Sequence, residues 1–374
     1  MLFRSKANGY GHGGAEVALT VLAAGATRLA VAQVEEGLAL RAALRGVGLD
    51  APILVLSEPE PDELGPAVQA QLEPALYSIR GIEAAVAAVG RTGSPAGSLV
   101  VHLKIDTGMH RVGAAPADAV ALARRIAAAD QLELGSVWTH LACADGLTAT
   151  GELAVETTNA QLDCYDQALA AIDQAGIEVP LRHAANSAGT LAHPRSHYDL
   201  VRCGIAVYGL APGPGLVSAL TNRPTGDRSA PASPSSAGQV SLRPALTWRS
   251  RVSFVKRLRA GEAISYGHRT TLEADTTVAS IPVGYADGFR RGLWRSGGAM
   301  LINGRRRPIL GVVTMDQTMV DCGHDDVAPG DEVVLIGTQG AHTITADDLA
   351  AQLGTINYEI CTSIGPRVER RFRP

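Results

Sequence analysis

The sequence predicts a closed (β/α)8 barrel followed by a smaller, mainly β domain. Within residues 1–210, eight short and nearly continuous apolar runs alternate with alanine-rich helical stretches, which is typical of a parallel sheet covered on its outer face. From residue 242 onward the chain changes to β-type runs separated by turns. A length of 374 residues, 46% of them hydrophobic, suits a barrel plus an appended domain. A doubly wound open sheet is the alternative for the first part.

Eight apolar runs are the predicted barrel strands. In chain order they are Leu2 to Ala7, Arg28 to Gln33, Pro52 to Ser57, Glu73 to Ser78, Leu99 to Asp106, Leu134 to His140, Leu181 to Asn186 and Leu200 to Tyr208. No helix is predicted after the eighth run, because Ala-Pro-Gly-Pro-Gly follows it, so seven helices would cover eight strands. Residues 216–241, rich in Ser, Pro and Gly, are predicted to be a linker or insertion between a barrel domain at 1–215 and a C-terminal domain at 242–374.

The second domain is predicted to be mostly β, with one short helix at Ala346 to Leu353. Its predicted strands are Trp248 to Arg257, Thr277 to Pro282, Ala299 to Ile302, Ile309 to Val313, Thr318 to Asp321 and Glu332 to Ile336.

Charge and composition argue against several classes of function. A net charge of -4 without a basic block disfavours nucleic acid as a partner, and no apolar run is long enough to cross a membrane. The five cysteines are odd in number and scattered without metal-ligand spacing, which indicates reduced thiols in a cytoplasmic protein and no metal site.

A lysine at the end of the first predicted strand is the first candidate for chemistry. Lys6 opens the segment Lys-Ala-Asn-Gly-Tyr-Gly-His-Gly, where glycines let a ligand approach the backbone, so its amine could hold an aldehyde cofactor as a Schiff base. A solvated lysine in a turn is the alternative. The chain has only three lysines, Lys6, Lys104 and Lys256, among its 33 basic residues. We therefore expect these lysines to serve where the protein needs an amine that can lose its proton, which a guanidinium cannot do.

In a barrel, polar residues at the carboxyl ends of the strands form the site. Here these residues are Lys6, Asp106, His140, Asn186, Ser187 and Arg202. The stretch from Lys104 to Arg111 has a surface ion-pair loop as its alternative reading. The ends of the seventh and eighth strands occupy the usual phosphate position of such barrels, with ordinary turns as the alternative.

The order of motifs resembles bacterial alanine racemase along nearly the whole chain. The motifs are KANGYGHG, KIDTGMHR, THLACADG, HAANSAG, LVRCGIAVYGLAP, SYGH, IPVGYADG, TMDQ and GTINYEI. The resemblance implies a pyridoxal 5'-phosphate enzyme that interconverts L-alanine and D-alanine, supplies D-alanine for peptidoglycan, and forms a homodimer whose active sites are shared between chains.

The same resemblance assigns roles to residues of this chain. Lys6 would be the Schiff-base lysine and one catalytic base, and Tyr266 the opposing base. Arg202 would face the pyridine nitrogen with His140 packed against it. Arg111 would meet the cofactor's phenolic oxygen and the substrate carboxylate, held by Lys104, for which the resemblance implies carbamylation as one possible state. The expected phosphate ligands are Tyr10, Ser187, Gly204, Ile205 and Tyr358, and the expected substrate-pocket residues are Met315, Asp316 and Tyr285.

An arginine opposite the pyridine nitrogen favours racemisation. Because Arg202 will not surrender its proton to the ring, the carbanion stays short-lived and is reprotonated before decarboxylation or transamination competes. A racemase or decarboxylase of the same fold acting on another amino acid is the alternative.

Some features depart from the family pattern. Family members begin earlier, with a further strand and helix, which leaves an inactive, truncated relative as another alternative. Arg4 shares the inward face of Lys6, so we expect a costly unpaired guanidinium in the barrel core. Thr314 and His110 also depart from the usual residues of the family, without changing the expected reaction.

Overall fold

The computed structural model describes residues 1–93, 95, 97–221 and 241–373. The chain divides into two units, Met1–Arg243 and Pro244–Pro374. No helix of the described residues is long and apolar enough to cross a membrane.

The first unit is an eight-stranded parallel sheet. In chain order its strands are Leu2–Arg4, Arg28–Val31, Ile53–Val55, Leu72–Leu76, Leu99–Lys104, Leu132–Trp138, Arg182–His183 and Arg202–Cys203. Strands one to seven pair with their sequence neighbours, and the eighth pairs with the first through Leu2 and Arg202. Between the seventh and eighth strands, the Arg202 N–H donates to the Ala185 carbonyl oxygen at 3.0 Å. The sequence prediction of a (β/α)8 barrel is therefore confirmed.

A helix follows each barrel strand. The helices are Gly14–Ala23, Val34–Gly46, Leu64–Gln69, Ile79–Thr92, Ala119–Ala127, Glu156–Gln174, Ser187–Ala192 and Leu216–Thr221. The prediction that no helix follows the eighth strand was wrong. Leu216 and Leu220 lie one turn apart and pack on the apolar core, with Leu216 fully buried, so the first part of the predicted linker covers the barrel. Residues 222–240 of that predicted linker lie outside the described residues.

Most barrel strands are shorter than predicted, among them the first, the seventh and the eighth. The first ends at Arg4, because Ala7, Asn8 and Tyr10 adopt positive φ angles that a strand cannot contain. In the eighth run, a 3-10 helix over Ile205–Tyr208 replaces the predicted strand end. The seventh strand is only Arg182–His183. Short strands leave more of the chain for the loops that form a site at the carboxyl end of the barrel.

The second unit contains three small antiparallel sheets. Its strands are Trp248–Arg251, Phe254–Leu258, Ala263–Ile264, Thr270–Thr271, Thr276–Ile281, Ala299–Ile302, Arg305–Pro308, Thr318–Asp321, Glu332–Gln339 and His342–Ile344, and its helices are Ala346–Leu353 and Asn357–Thr362. Val333, Leu335 and Met300 are fully buried in its core. A mainly β second domain is thus confirmed.

Two predicted strands of this unit were wrong. The run Trp248 to Arg257 divides at Val252 and Ser253, since its first half pairs with Glu332–Gln339 and its second half with Thr276–Ile281. The run Ile309 to Val313 is not a strand, because Gly311 interrupts it with a φ of 72°.

Candidate active site

Lys6 follows the first barrel strand and begins a left-handed turn. Ala7, Asn8, Gly9 and Tyr10 have φ angles of 52°, 51°, 62° and 53°. Each non-glycine residue in this conformation costs roughly 1–2 kcal/mol, and such strain is characteristic of functional sites. The Ala7 N–H donates to a Glu36 carboxylate oxygen at 2.6 Å, which helps to hold the turn in place.

The amine of Lys6 lies in a positively charged surrounding. Burial, together with the charges of Arg4 and Arg111, lowers the pKa of Lys6 to about 8, against the opposing charge of Glu36. An appreciable fraction of the amine is therefore neutral near neutral pH. Arg4 is partly rather than fully buried, so it is less buried than expected, but its Nε is buried and makes no hydrogen bond, as expected.

Arg202 is fully buried inside the barrel. Its Nη1 donates to His183 Nδ1 at 2.8 Å, and its Nη2 donates to the carbonyl oxygens of Thr139 and Ala184 at 2.7 and 2.8 Å. The same Nη2 lies 3.3 Å from Nδ1 of His140, the residue expected to pack against it. The guanidinium is therefore fixed by partners at the ends of two strands, the sixth and the seventh.

Charge and burial set the protonation of this pair. Burial and the charge of Arg4 lower the pKa of Arg202 to about 9, so the guanidinium stays protonated at neutral pH. Burial and the nearby cations, Arg4 foremost, hold the pKa of His140 well below its usual range. His140 is therefore neutral and can accept a hydrogen bond from Arg202 at Nδ1.

Trp138 joins two cationic groups of the site and was not singled out from the sequence. The Lys104 Nζ and the Arg202 Cζ each lie 4.7 Å from the centre of its ring. The available signal was its position two residues before His140, which places both on the same face of the predicted strand Leu134 to His140. Burial, followed by the charges of Arg111 and Arg202, lowers the pKa of Lys104 to about 8.

The predicted phosphate residues of the barrel meet at Gly204. The Ser187 Oγ accepts a hydrogen bond from the Gly204 N–H at 2.9 Å. A Cβ at Gly204 would lie 2.5 Å from the Tyr10 hydroxyl, so only glycine leaves room for that hydroxyl. Ile205, the next residue, is fully buried.

The loop after the fifth strand is organised by backbone hydrogen bonds. One Asp106 carboxylate oxygen accepts from the N–H groups of Gly108, Met109 and His110 at 2.9–3.0 Å. Arg111 follows this turn and is exposed. The interpretation of this stretch as a simple ion-pair loop therefore misses its main organising contacts.

The remaining predicted site residues belong to the second unit. The Tyr285 N–H donates to the Thr314 carbonyl oxygen at 3.0 Å, and the Ala286 N–H donates to that of Met315 at the same distance. These two bonds bring the predicted pocket residues Tyr285 and Met315 together. Asp316, next to Met315, pairs with Arg367 at 2.8 Å.

Tyr266 and Tyr358 complete the set within this unit. Tyr266 begins a short 3-10 turn and is 73% exposed. Ser265, just before it, has a φ of 65° and donates through its hydroxyl to the Val312 carbonyl oxygen at 2.9 Å. Tyr358 lies on the helix Asn357–Thr362 and is partly buried. The roles of all these residues stay predictions.

Family models cover both units. The alanine racemase N-terminal domain matches residues 2–212, and the alanine racemase C-terminal domain matches residues 245–372.

Known proteins resemble the chain along nearly all of its length. It is 45% identical to an alanine racemase of Symbiobacterium thermophilum, over 98% of this chain and 89% of that protein. Identity to an alanine racemase of Mycobacterium tuberculosis is 40%, over 98% and 88%.

Solved structures give the same result. An alanine racemase from Bacillus anthracis with bound L-Ala-P superimposes with a TM-score of 0.84 at 33% identity, covering 98% of this chain and 86% of that chain. One from Streptomyces coelicolor gives 0.84 at 36% identity, covering 98% and 90%. Two family models and full-length similarity in both sequence and structure establish that the chain belongs to the alanine racemase family.

Proposed function

We propose that this protein interconverts L-alanine and D-alanine with pyridoxal 5'-phosphate as its cofactor. The observation that carries the proposal is a lysine amine with a lowered pKa, Lys6, at the carboxyl end of a barrel that also holds the buried guanidinium of Arg202. An amine that loses its proton near neutral pH can form an imine with an aldehyde and can act as a base.

The barrel residues fit this cofactor in two respects. The Arg202 Nε is buried and lacks a hydrogen-bond partner, so a donor is available for an unprotonated pyridine nitrogen. Gly204 lets the Tyr10 hydroxyl approach its backbone closely, where the Ser187 hydroxyl also lies, so two hydroxyls and a backbone without a side chain are available for a phosphate. These residues, with His140, Ile205 and Tyr358, would hold the cofactor. When bound, it supplies an electron sink for the bond broken at the alanine Cα.

Racemisation needs a base on each face of the reacting carbon. Lys6 would accept or return a proton at Nζ on one face, and Tyr266 would do so at its phenolic oxygen on the other. Arg111 would bind the substrate carboxylate, while Met315, Asp316 and Tyr285 would line the substrate pocket. Arg202 keeps its own protons, which favours rapid return of the Cα proton over side reactions.

Lys104 is proposed to be carbamylated and to orient Arg111. Its lowered pKa leaves part of the amine neutral, the form that reacts with carbon dioxide. A carbamate would place a negative charge among the cations Arg111, Arg202 and Arg4, which now act together to lower that pKa.

A homodimer with shared active sites is part of the proposal. Tyr266, Tyr285 and Met315 are 73%, 43% and 52% exposed in the single chain. Substrate-contacting groups work best where water is excluded, and a two-fold partner could cover all three.

We also propose a cytoplasmic location, supported by five cysteines that are all free thiols.

The first experiment measures D-alanine formation from L-alanine by the purified protein supplied with the cofactor. Serine, lysine and ornithine serve as competing substrates, and preference for one of them would redirect the proposal to that amino acid. Borohydride reduction should fix the cofactor on the peptide that contains Lys6. Finding it on Lys104 or Lys256, or finding no racemisation of any substrate, would refute the assignment.

The second experiment tests site sharing. Lys6→Ala and Tyr266→Phe chains are each expected to be inactive, but a mixed dimer would contain one intact site and one doubly altered site. If chains exchange at random, about half of the dimers are mixed, so roughly a quarter of wild-type activity should return. Mixed dimers that are seen by mass spectrometry but remain inactive would show that each site is built within one chain.

A further inference from the structure

A chain of hydrogen bonds crosses the barrel interior below Arg202. From Arg202 it passes through His183 and Ser136 to His102 and ends at Glu73. The successive distances are 2.8 Å from Arg202 Nη1 to His183 Nδ1, 2.9 Å from His183 Nε2 to Ser136 Oγ, 2.6 Å from Ser136 Oγ to His102 Nδ1, and 2.9 Å from His102 Nε2 to Glu73 Oε2.

Each member of this chain comes from a different barrel strand. Arg202, His183 and Ser136 are fully buried, and His102 is 2% exposed. Glu73 lies near the start of the fourth strand, where its Oε2 also accepts from Arg28 at 2.9 Å. The hydrogen bonds thus connect the amino end of the barrel with the guanidinium proposed to face the pyridine nitrogen. Buried polar groups are retained in such a core only when they are hydrogen-bonded.

The chemistry of the two ends fixes the direction of every bond. Arg202 can only donate, so His183 accepts at Nδ1 and carries its proton at Nε2. That proton is donated to the Ser136 oxygen, and the Ser136 hydroxyl donates to His102 Nδ1. His102 then carries its proton at Nε2 and donates to Glu73, whose carboxylate can only accept. Both imidazoles are neutral in this arrangement, and every ring nitrogen and hydroxyl between Arg202 and Glu73 has a partner.

Other proton arrangements are less favourable. If Ser136 donated to His183, that ring would have acceptors at both nitrogens and no proton. If His102 were doubly protonated, Ser136 would receive two donors and its own hydrogen would lose its partner in the chain. Burial and the charge of Arg202 hold the pKa of His183 well below its usual range, in agreement with a neutral ring.

The Glu73 carboxylate, at the opposite end of the hydrogen-bond chain, supplies the negative charge that Arg202 lacks among its direct partners. Among the described residues, no carboxylate lies within ion-pair distance of Arg202, whose direct partners are carbonyl oxygens and imidazole nitrogens. Burial raises the pKa of Glu73, but the hydrogen bond from His102, together with the charge and hydrogen bond of Arg28, outweighs it and lowers the pKa below its ordinary value. Glu73 therefore remains a carboxylate at neutral pH.

We propose that Glu73, His102, Ser136 and His183 form an ordered hydrogen-bond relay that positions Arg202 toward the proposed cofactor. They are positioning residues, since each acts through the next and only Arg202 would touch the ring. What the relay does for catalysis rests on the proposed function, whereas its proton order belongs to the protein itself. Without the relay, the His183 ring would lose the bond that fixes its far side and could rotate, and the guanidinium would lose one of its fixed partners.

The test combines nitrogen NMR of the histidine rings with kinetics. In the full-length protein labelled at histidine nitrogens, His183 and His102 are assigned by His183→Gln and His102→Gln spectra. Ser136→Ala removes the central hydroxyl, and Glu73→Gln is a second, nearly isosteric variant that weakens the terminal acceptor. Ser196→Ala is the matched control, because Ser196 is also fully buried but donates to the carbonyl oxygens of Gly189 and His193 outside the relay.

Both rings are expected to be neutral and protonated at Nε2 in the wild type. In Ser136→Ala the Nε2 proton of His183 loses its acceptor, so the His183 Nε2 signal should shift, and kcat should fall about tenfold with little change in KM, the effect of losing one hydrogen bond of the relay. Ser196→Ala should change neither. A wild-type His183 protonated at Nδ1, or unchanged ring-nitrogen signals and kcat in both Ser136→Ala and Glu73→Gln, would overturn the proposal. If His183 and His102 show the expected tautomers but the protein has no racemase activity, the proposed function is refuted while the proton order of the relay stands.

Discussion

Replacing Gly204 by alanine should damage the proposed phosphate cradle. The added Cβ would lie 2.5 Å from the Tyr10 hydroxyl and 2.9 Å from its Cζ, closer than packed side chains approach one another. Tyr10 is 3% exposed and belongs to the left-handed turn after Lys6, so its ring cannot move without displacing that turn. Overpacking of this kind costs roughly 1–3 kcal/mol.

We therefore expect the free energy of unfolding to fall by about 1–3 kcal/mol, and the affinity for pyridoxal 5'-phosphate to fall at least about tenfold, because Tyr10 and Lys6 shift together. Urea denaturation measures the first quantity, and titration of the cofactor-free protein measures the second. Gly90→Ala is the control, since Gly90 is exposed on the helix Ile79–Thr92, its Cβ would meet nothing within 4 Å, and the change should stabilise the protein by up to about 1 kcal/mol.

A second variant separates the overlap from other effects. Adding Tyr10→Phe to Gly204→Ala removes the nearest atom while leaving the ring carbon, so part of the lost stability should return. If Gly204→Ala keeps wild-type stability and cofactor affinity, or if the two changes are simply additive in stability, the close approach of Tyr10 to Gly204 does not organise the site.

Two further predictions concern the charges around Lys6 in the cofactor-free protein. The pKa of Lys6 is lowered to about 8 in the folded state, so the folded state binds fewer protons than the unfolded state between about pH 8 and 10.5. The free energy of unfolding of the wild type should therefore rise with pH over this window. Relative to Lys6→Met, and after allowance for the partial exposure of Lys6, we expect a rise of about 1–2 kcal/mol. Lys6→Arg, which stays charged, is the control in urea denaturation at pH 7.5 and 10, and an equal rise in Lys6→Met would contradict the assignment to Lys6. Arg4→Val should raise the free energy of unfolding at pH 7 by at least about 1 kcal/mol, because it removes a buried Nε without a hydrogen bond and a charge close to other cations. The control is Arg4→Lys, which keeps the charge and should show no gain in stability. Unchanged unfolding of Arg4→Val would show that the guanidinium is well solvated.

Local patterns predicted most of the fold, and the misses have physical causes. Ala299–Ile302, Thr318–Asp321 and Ala346–Leu353 have the predicted bounds, since each is a short apolar or capped element between clear turns. The helix Leu216–Thr221 was missed because the Pro-Gly-Pro-Gly sequence before it suggested a linker, whereas burial of Leu216 on the barrel outweighs that local signal.

The candidate site was predictable in its residue types but not in its supporting contacts. Lys6, His140 and Arg202 stand at strand ends, where a barrel collects its functional groups. Which histidines are connected to Arg202 by hydrogen bonds depends on the register between neighbouring strands. The fifth strand, for example, shifts its register against the sixth between Val101 and His102. No periodic pattern in one chain encodes that stagger.

The barrel interior is therefore polar where a purely structural core would be apolar. Branched aliphatic side chains usually fill such layers, and a partly satisfied polar group there would cost more than an aliphatic one. The relay from Glu73 to His183 avoids this cost because its donors and acceptors match in number along one direction. Because all hydrogen bonds of the relay run in one donor-to-acceptor direction, they also hold the Arg202 guanidinium in one orientation. Aliphatic side chains cannot orient a guanidinium in this way, since they offer it no hydrogen-bond acceptor. This accounts for a buried Arg202 that lacks a carboxylate partner within the described residues yet keeps a fixed position among Thr139, His183 and Ala184.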